Sequence, residues 1–314
     1  MMREEPLVSI ALCTYNGGRF LNQQLDSILN QTYKNLEIVI VDDCSTDDTG
    51  NIITQYAQKD SRIKFFRNET NLGFNKNFEK AIQLTTGEYI AISDQDDIWL
   101  PKKIDELLNH IAGNWLIFSN SSFINEDDEM LDEKMVKVFN PAANNYKAIL
   151  LGNFVTGHTT LFKKGFIEYF LPFPEQGFYD WWMGFVALYH NQVIFLDEIL
   201  TLYRIHETSV MQSRIRSGEE KREESRAIDR MLTAFSSYKH LEDTDRKFIA
   251  RLRDSYKENL SGTDTITLIK FILQNYAALF ANQKNRAGLS LLNFAIKYAR
   301  KAKKYARARS SKLV

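Results

Sequence analysis

Apolar and polar positions alternate between two spacings along the first 125 residues. Near-continuous apolar runs, typical of strands buried on both faces, occur in LVSIALCT, LEIVIVDD, IKFFRN, EYIAISD and WLIFSNSSFIN. Between them, apolar residues recur at helical spacing in RFLNQQLDSILNQ, in the segment from Ser45 to Lys59, in NKNFEKAIQLTT and in KKIDELLNHIA. We place Ser45 at an N-cap and Pro101 in a first helical turn. The alternation predicts an α/β fold with a mostly parallel central sheet.

The pattern is looser after residue 125. We expect an exposed acidic loop or short helix in EDDEMLDEKM, a short helix in NYKAILLGN, a strand in TGHTTLFKK, a helix in FYDWWMGFVALYH and paired strands in QVIFLDEILTLYRIH. From Met211 to Leu260 a helical pattern carries charges of both signs, and the last fifty residues predict one or two basic helices. We therefore expect a helical C-terminal extension after the α/β domain.

Charge is distributed unevenly, although the net charge of the 314 residues is zero. The stretch from Thr265 to Val314 has eleven Lys and Arg and no Asp or Glu, so all 40 acidic residues precede it. No run of eighteen apolar residues occurs, and the N-terminus lacks the apolar core of a signal peptide. We expect a folded cytoplasmic protein whose C-terminal end meets a different partner from the rest.

Polar clusters follow the first four predicted strands, and the last of them holds three carboxylates. The clusters are CTYNGG, VDDCSTDD, RNETNLGFN and DQDD. Open parallel sheets bind ligands at the carboxyl ends of their strands, so the four clusters should converge. If the last segment is extended, Asp94 and Asp96 point the same way and Gln95 points away. A divalent cation could bridge such carboxylates to nucleotide phosphates. The alternative is an acidic turn that caps the helix at Pro101.

Several segments in order resemble family 2 glycosyltransferases with the GT-A fold. They are ALCTYNGGRFLNQQLDSILNQTYKNLEIVIVDDCSTDDT, NLGFNKNFEKA and GEYIAISDQDDIWLPKKI, and the resemblance covers roughly residues 6–210. SDQDDIW, YDWW and LYRIH are similar to rhamnosyltransferase-like bacterial enzymes of surface polysaccharide synthesis. The resemblance implies a catalytic domain over 1–210, with a nucleotide-binding half (1–125) and an acceptor half (126–210), followed by a helical region over 211–314.

The resemblance also implies roles for individual residues. It makes DQDD the DXD motif, with Asp94 near the ribose, Asp96 as the main ligand of Mg²⁺ or Mn²⁺, and Asp97 assisting. His206 would complete the metal site or touch the diphosphate, and Arg204 would contact the diphosphate or an acidic neighbour. The remaining nucleotide-binding candidates are Thr14, Tyr15, Asn16, Asp42, Asp43, Asn71, Gly73 and Asn77. The donor would be a dTDP- or UDP-sugar.

Some of these candidates have simpler structural explanations. Asp42 and Asp43 could cap the helix that begins at Ser45, and the NLG turn around Gly73 needs a flexible residue in any case. His158, in TGHTTLF, lacks a comparable motif, and we interpret it as a packing residue.

Asp180 is the candidate catalytic base. It opens a helix rich in Trp181, Trp182, Met183 and Phe185, and an apolar wall would raise its pKa toward the range that suits proton transfer. In the enzymes that the chain resembles, an Asp at this place deprotonates the acceptor hydroxyl. The alternative is a carboxylate that only stabilises the helix N-terminus.

The basic C-terminal helix places Leu292, Ile296, Ala299 and Lys303 along one strip. It is a candidate for attachment to an anionic membrane face, and the resemblance supplies an acceptor on a membrane lipid as the reason. A solvated tail, or a helix that docks on the acidic body, explains the same pattern. Nucleic acid is not an expected partner, because the body is acidic and no reader motif is present. The oligomeric state is not indicated.

We expect a metal-dependent inverting glycosyltransferase that acts on a glycan or a lipid-linked acceptor, with rhamnose as the sugar suggested by the resemblance. A nucleotidyltransferase also uses an α/β sheet, a nucleotide and Mg²⁺, but CTYNGGRF lacks the glycines of a phosphate loop. A binding module without turnover is the alternative that is not an enzyme.

Overall fold

The computed structural model describes residues 5–140, 145–206 and 218–307. Within these ranges nine strands form one sheet, in the order β3-β2-β1-β4-β8-β6-β9-β5, with β7 paired to β6. The strands are β1 (Val8–Thr14), β2 (Leu36–Asp42), β3 (Ile63–Arg67), β4 (Tyr89–Ser93), β5 (Ile98–Trp99), β6 (Leu116–Ile124), β7 (Met130–Lys134), β8 (Thr160–Lys163) and β9 (Val193–Arg204).

Ten α-helices lie in the same described ranges. They are α1 (Leu21–Leu29), α2 (Thr49–Lys59), α3 (Phe74–Leu84), α4 (Lys103–Ile111), α5 (Ile167–Phe170), α6 (Tyr179–Tyr189), α7 (Gly218–Ser236), α8 (Asp243–Ser261), α9 (Ile266–Leu279) and α10 (Gly288–Arg307). Short 3-10 turns occupy Tyr146–Ile149, Gly157–Thr159 and Lys164–Phe166. Residues 211–217 and 308–314, which the sequence analysis includes in its helical region and basic tail, lie outside the described residues.

The first four strands are parallel, as the alternating pattern predicts. β1 pairs with β2 on one side and β4 on the other, and β2 pairs with β3. Every residue of β1 and β2 is buried, because helices cover both faces of this part of the sheet. In α1, Leu21, Leu25 and Ile28 form the apolar face that joins the core beneath the sheet. The prediction of an α/β fold with a mostly parallel sheet is therefore confirmed.

Two strands of the second half differ from the expectation. EDDEMLDEKM, expected as a loop or short helix, contains β7, which pairs antiparallel with β6. QVIFLDEILTLYRIH, expected as paired strands, forms the single strand β9 parallel to β6, and the register between the two shifts near Asn120. β7 could not be recognised from its pattern, because acidic residues weaken the strand signal and only the neighbouring β6 satisfies its backbone.

Helix α2 begins later than the sequence analysis places it. Its N-cap is Asp48, whereas Ser45 lies three residues earlier. The Ser45 hydroxyl donates to Asp42 and accepts from the Asn16 backbone N–H, so this side chain joins two loops instead of capping the helix. Pro101 likewise lies in the turn that precedes α4.

The chain divides into two compact units. The first comprises Met1–Lys137, Phe154–Glu175 and Val186–Ile205 and contains the whole sheet. The second comprises Val138–Asn153, Gln176–Phe185 and His206–Val314 and is helical. In the second unit the rings of Phe185 and Phe235 stack with 4.2 Å between their centroids. Among the described residues no helix combines the length and the apolar character needed to cross a membrane.

Glu37 joins the amino-terminal ends of neighbouring strands. It lies on β2 and accepts hydrogen bonds from the Ser9 and Thr86 hydroxyls, the Thr86 backbone N–H and the Lys64 ammonium. Burial by itself would raise the pKa of Glu37, but hydrogen bonds from Lys64, Ser9 and Thr86 lower the pKa from 4.5 to about 2. The ionised carboxylate therefore stabilises the fold.

We predict that Glu37→Gln lowers the free energy of unfolding at neutral pH by about 3 kcal/mol, the free-energy equivalent of a pKa lowered from 4.5 to about 2. Because the folded-state pKa is the lower one, this stability is present above about pH 4.5 and is lost as the pH falls toward 2. Urea unfolding of both proteins across this pH range measures the effect. Glu133→Gln, which changes an exposed carboxylate paired with Lys137, is the matched control and should cost less than about 1 kcal/mol. Equal losses in both variants would contradict the assignment.

Candidate active site

The DQDD segment turns immediately after β4. The strand ends at Ser93, and residues 94–97 form a bend before β5. The expectation that Asp94 and Asp96 share one side assumed an extended backbone, whereas residues 95 and 96 lie in a bend. The bend instead brings Asp94 and Asp97 together with a third residue, His158.

Asp94, Asp97 and His158 form a compact group, with one ligand atom from each lying within 4.8 Å of the others. His158 Nδ1 is 3.9 Å from Asp94 Oδ2. His158 Nε2 is 3.3 Å from the Ser121 hydroxyl, and the imidazole stacks on Tyr203. We name these three residues the acid–histidine group. Asp96, the expected main metal ligand, is partly exposed and lies outside the group.

The position of His158 follows from the sheet topology. β8 inserts antiparallel beside β4, so the start of β8 lies at the carboxyl end of β4. His158 is in the 3-10 turn directly before β8, and it therefore lies next to the DQDD bend. From its sequence context His158 is expected only to pack, because TGHTTLF does not indicate which strand β8 joins.

The acid–histidine group has the chemistry of a divalent cation site. Asp97 Oδ1 accepts the Arg204 backbone N–H, whereas Asp97 Oδ2 is buried without a hydrogen-bond partner among the described residues. Burial, together with the charges of Asp96 and Asp94, raises the pKa of Asp97 well above its usual value. Burial, with Lys103 nearby, lowers the pKa of His158 to about 3, so its imidazole is neutral and able to act as a ligand. A bound cation would offset the carboxylate charge and satisfy the buried oxygen.

Lys103 is a buried cation next to this group. Its ammonium donates to the His158 carbonyl at 2.6 Å and to the Thr201 hydroxyl at 2.9 Å, and it lies 3.6 Å from the centre of a Trp99 ring. Burial lowers the pKa of Lys103, and the charges of Asp97 and Asp94 oppose that shift. This role could not be predicted from the sequence, because a lysine at the start of a helical pattern usually faces solvent. Lys103 holds the turn that carries His158.

Arg204 is buried and joins segments that are distant in sequence. Its guanidinium donates to the carbonyls of Asp96 and Asn125 and to the side chains of Asp128 and Gln23. The group also stacks on the Phe20 ring, 4.5 Å from its centroid. The side chain has no exposed surface. Asp128 is the acidic neighbour that was one of the two expected partners of Arg204, and the buried guanidinium positions the DQDD bend.

Asp42 and Asp43 hold the loops at the carboxyl ends of the first three strands. Asp42 accepts hydrogen bonds from the Thr14 and Ser45 hydroxyls and from the Ser45 backbone N–H. Asp43 accepts from the backbone N–H groups of Leu72 and Gly73 and from the Asn68 amide. Both carboxylates are buried. These hydrogen bonds join several loops, whereas the simpler explanation from the sequence was a cap on one helix.

The other nucleotide-binding candidates of the first unit differ in exposure. Tyr15 is 48% exposed, and its backbone N–H and C=O both pair with the Gln95 side chain. Gly17 permits this pairing, because a Cβ there would collide with Gln95. Asn16 and Asn71 are exposed, whereas Asn77 is buried and donates to the Val41 carbonyl. Gly73, at the N-cap of α3, has a φ of 81° that favours glycine.

Asp180 and His206 belong to the second unit. Asp180 is partly exposed in the first turn of α6, where its carboxylate accepts the Trp181 backbone N–H at 2.7 Å. Next to it, the Trp181 indole donates to the Ile149 carbonyl, and Trp182 stacks on Phe235. Trp181, Trp182, Met183 and Phe185, the residues expected to form an apolar wall beside Asp180, are all buried. His206 is buried, two residues after the end of β9.

Sequence comparisons find related proteins over most of the chain. The family model described as Glycosyl transferase family 2 matches residues 9–170. An uncharacterized glycosyltransferase of Methanocaldococcus jannaschii, MJ1057, is 34% identical over 225 residues, covering 68% of this chain and 76% of the relative. The Escherichia coli UDP-Glc:alpha-D-GlcNAc-diphosphoundecaprenol beta-1,3-glucosyltransferase WfaP is 32% identical over 214 residues, covering 67% and 82%.

Solved structures share the fold at low sequence identity. Staphylococcus aureus TarS 1–349 in complex with UDP-GlcNAc superposes with a TM-score of 0.62 at 20% identity, covering 96% of this chain and 90% of that chain. The mannosyltransferase PcManGT of Pyrobaculum calidifontis, in complex with GDP-Man and Mn²⁺, has a TM-score of 0.55 at 16% identity, with coverages of 96% and 84%. The likeness to these structures establishes the fold.

We predict that Arg204→Lys destabilises the first unit by about 2–3 kcal/mol, because lysine keeps the charge but cannot reproduce the four donated hydrogen bonds. Arg19→Lys is the matched control. Arg19 stacks on the same Phe20 ring, but its side chain is 62% exposed and pairs with Glu126, so its loss should cost less than about 1 kcal/mol. Denaturant unfolding measures both variants. Similar small losses would show that Arg204 does not hold the bend.

Proposed function

The chain belongs to glycosyltransferase family 2, and on that premise we propose that it is a metal-dependent, inverting enzyme using a nucleoside-diphosphate sugar. The single observation that carries the metal dependence is the acid–histidine group with its buried, unpaired Asp97 oxygen. WfaP is named for a UDP-Glc donor, TarS is bound to UDP-GlcNAc, and PcManGT is bound to GDP-Man and Mn²⁺. These names support a nucleotide-sugar donor and a divalent cation for this chain.

Asp94, Asp97 and His158 are the residues we propose to hold Mg²⁺ or Mn²⁺. When bound, the cation would offset the charge of the donor diphosphate. The exposed residues Tyr15, Asn16 and Asn71 surround the neighbouring strand ends and are proposed to contact the nucleoside. Asp42, Asp43, Asn77 and the Thr14 hydroxyl hold the loops that carry them. Asp96 and His206 remain predicted metal ligands to be tested against the acid–histidine group.

Asp180 is proposed as the general base. The acceptor hydroxyl gives its proton to the Asp180 carboxylate while its oxygen attacks the anomeric carbon. The bond from that carbon to the diphosphate oxygen breaks, the nucleoside diphosphate leaves, and the anomeric configuration inverts. Asp180 is partly exposed in the first turn of a helix whose next two residues, Trp181 and Trp182, are buried, and this supports the role.

The acceptor is proposed to be a glycan or a lipid-linked saccharide of a cell-surface polysaccharide. The name of WfaP, which includes a diphosphoundecaprenol acceptor, supports the lipid-linked class. We place the reaction at an anionic membrane surface, reached through the basic C-terminal helix. Rhamnose as the transferred sugar remains a prediction, since the names of these relatives include glucose, N-acetylglucosamine and mannose donors.

Donor binding tests the metal site directly. Titration calorimetry with UDP-glucose, UDP-GlcNAc, GDP-mannose and dTDP-rhamnose, each with Mn²⁺ and then with chelator, should reveal one donor class whose binding needs the metal. We predict that Asp97→Asn and His158→Gln weaken metal-dependent binding by about 10- to 100-fold, the range for disturbed metal sites. Asp96→Asn and His206→Gln are the comparison pair. Loss in that pair alone would show that Asp96 and His206, and not the acid–histidine group, hold the metal.

Turnover separates an enzyme from a binding module. We predict that Asp180→Asn retains metal-dependent donor binding but lowers the rate of nucleoside diphosphate release, in the presence of acceptor, by about 10²- to 10⁴-fold. Asp243→Asn is the matched control, because Asp243 is also a carboxylate in the first turn of a helix, α8. If Asp180 only stabilises its helix end, both variants will keep the rate and lose about 0.3–1 kcal/mol of stability. Release of pyrophosphate instead would indicate a nucleotidyltransferase.

A further inference from the structure

Helix α10 packs one face on the second unit and exposes the other. Its buried face carries Ala295, Ala299 and Ala302, whose small side chains allow a close approach to the neighbouring helices. The Asn259 amide of α8 donates to the Ala299 carbonyl at 3.0 Å and fixes this contact. The sequence strip expected to face a membrane included Ala299, but the structure buries that residue, so the exposed surface of α10 has a different composition.

An open cavity of about 520 Å³ lies on the exposed side of α10. Ser290, Asn293, Phe294 and Lys297 line it, and their spacing of three, four and seven residues places them on one helix face. Arg286, just before the helix, completes the lining and stacks its guanidinium on the Phe294 ring, 5.0 Å from the centroid. The cavity lining therefore combines two cationic side chains, a hydroxyl and an amide with the ring of Phe294.

The cations of this cavity lack anionic partners. Within the part of the chain that the structure describes, Arg286 Nε is buried without a hydrogen-bond partner, and neither Arg286 nor Lys297 forms an ion pair. No Asp or Glu occurs from Thr265 to Val314, so α9 and α10 supply no carboxylate. A buried guanidinium donor is costly to leave unsatisfied, and phosphate oxygens match its geometry. The missing partner is best supplied by a phosphate group.

An apolar strip runs along α10 beside the cavity. Leu289 is 79% exposed and Leu292 is 38% exposed, and Ile296 continues the strip one turn later. Arg300, Lys301 and Lys304 are exposed farther along the helix. Exposed leucines next to a row of cations suit the boundary between acyl chains and anionic headgroups, and a free phosphate would leave the leucines in water.

We propose that the cavity lined by Arg286, Ser290, Asn293 and Lys297 binds the phosphate of an anionic phospholipid. Leu289 and Leu292 enter the bilayer surface beside that headgroup, and the remaining cations of α10 add diffuse attraction. The site deepens the membrane placement made under the proposed function and rests on it. It is a discrete headgroup site in the helical unit, separate from the residues assigned to donor and metal.

Vesicle sedimentation of the full chain tests the site. Binding should occur to phosphatidylcholine vesicles that contain phosphatidylglycerol and be weak to phosphatidylcholine alone. Arg286→Gln should lower the partition coefficient by about 10- to 100-fold, since it removes a charged hydrogen-bonding group. Lys304→Gln, the matched control outside the cavity, should lower it only about fivefold, as expected for diffuse attraction. Equal losses in the two variants would overturn the discrete site.

Three further measurements keep the outcome clear. Arg286→Lys and Lys297→Gln, which are milder changes, should give intermediate losses, and full binding by both would contradict the proposal. Inorganic phosphate at constant ionic strength should not displace the protein from vesicles, because displacement would show a site for free phosphate instead.

Metal-dependent donor binding by Arg286→Gln should equal that of the unaltered protein. Failure of the lipid site would thus leave the glycosyl transfer assignment untouched, whereas loss of donor binding in the unaltered chain would count against that assignment alone.

Discussion

The candidate active site depends on one buried guanidinium. Arg204 reaches the DQDD bend, the end of β6, the turn before β7 and helix α1, and it satisfies four hydrogen bonds there. A buried arginine is tolerated only when its donors are paired, so these segments can adopt only arrangements that supply acceptors. The backbone N–H of the same residue donates to Asp97. The position of a proposed metal ligand is thereby coupled to the position of three distant segments.

Two buried ionisable side chains at the bend, Asp97 and Lys103, cost the protein stability. Asp97 and Lys103 are both fully buried, and burial shifts the pKa of each toward its neutral form. A core made only for stability would replace such a pair with apolar residues. Lys103 nevertheless bonds the His158 carbonyl and the Thr201 hydroxyl, which orients the turn bearing His158. The buried pair lowers the stability of the fold and keeps the carboxylates of Asp94 and Asp97 close together. Such a concentration of negative charge is expected where a cation is to be bound.

The second unit presents the opposite electrostatic character. Its last two helices contain no carboxylate, and the cations of Arg286 and Lys297 face an open cavity. Exposed cations repel one another modestly in water, and the cost falls when an anionic surface approaches. The acid–histidine group of the first unit, which we propose to hold a cation, suits a donor that carries phosphates. The basic surface of the second unit suits an acceptor that is carried by an anionic lipid. Each unit thus supplies one chemical requirement of the proposed reaction.

Strong local patterns explain what could be predicted. The first four strands and their helices followed from apolar runs and helical spacing, because a βαβ unit buries those runs wherever it forms. The clustering of CTYNGG, VDDCSTDD and DQDD at strand ends also followed, since parallel strands place their carboxyl ends together. The acidic strand β7 and the single strand β9 did not, because their pairing depends on β6 and not on their own composition.

The sequence alone determined the α/β class, the sheet edge at which polar residues gather, the family resemblance and the basic character of the C-terminal helices. Only the tertiary structure decided which carboxylates meet. Alternation favoured Asp94 with Asp96, but the chain bends after Ser93, and Asp97 lies close to Asp94 and His158. The antiparallel insertion of β8 brought in His158, and the fold buried Arg204 against Asp128 and the DQDD bend. Local spacing specifies local backbone geometry, whereas the partners of a side chain depend on strand order, which no short segment encodes.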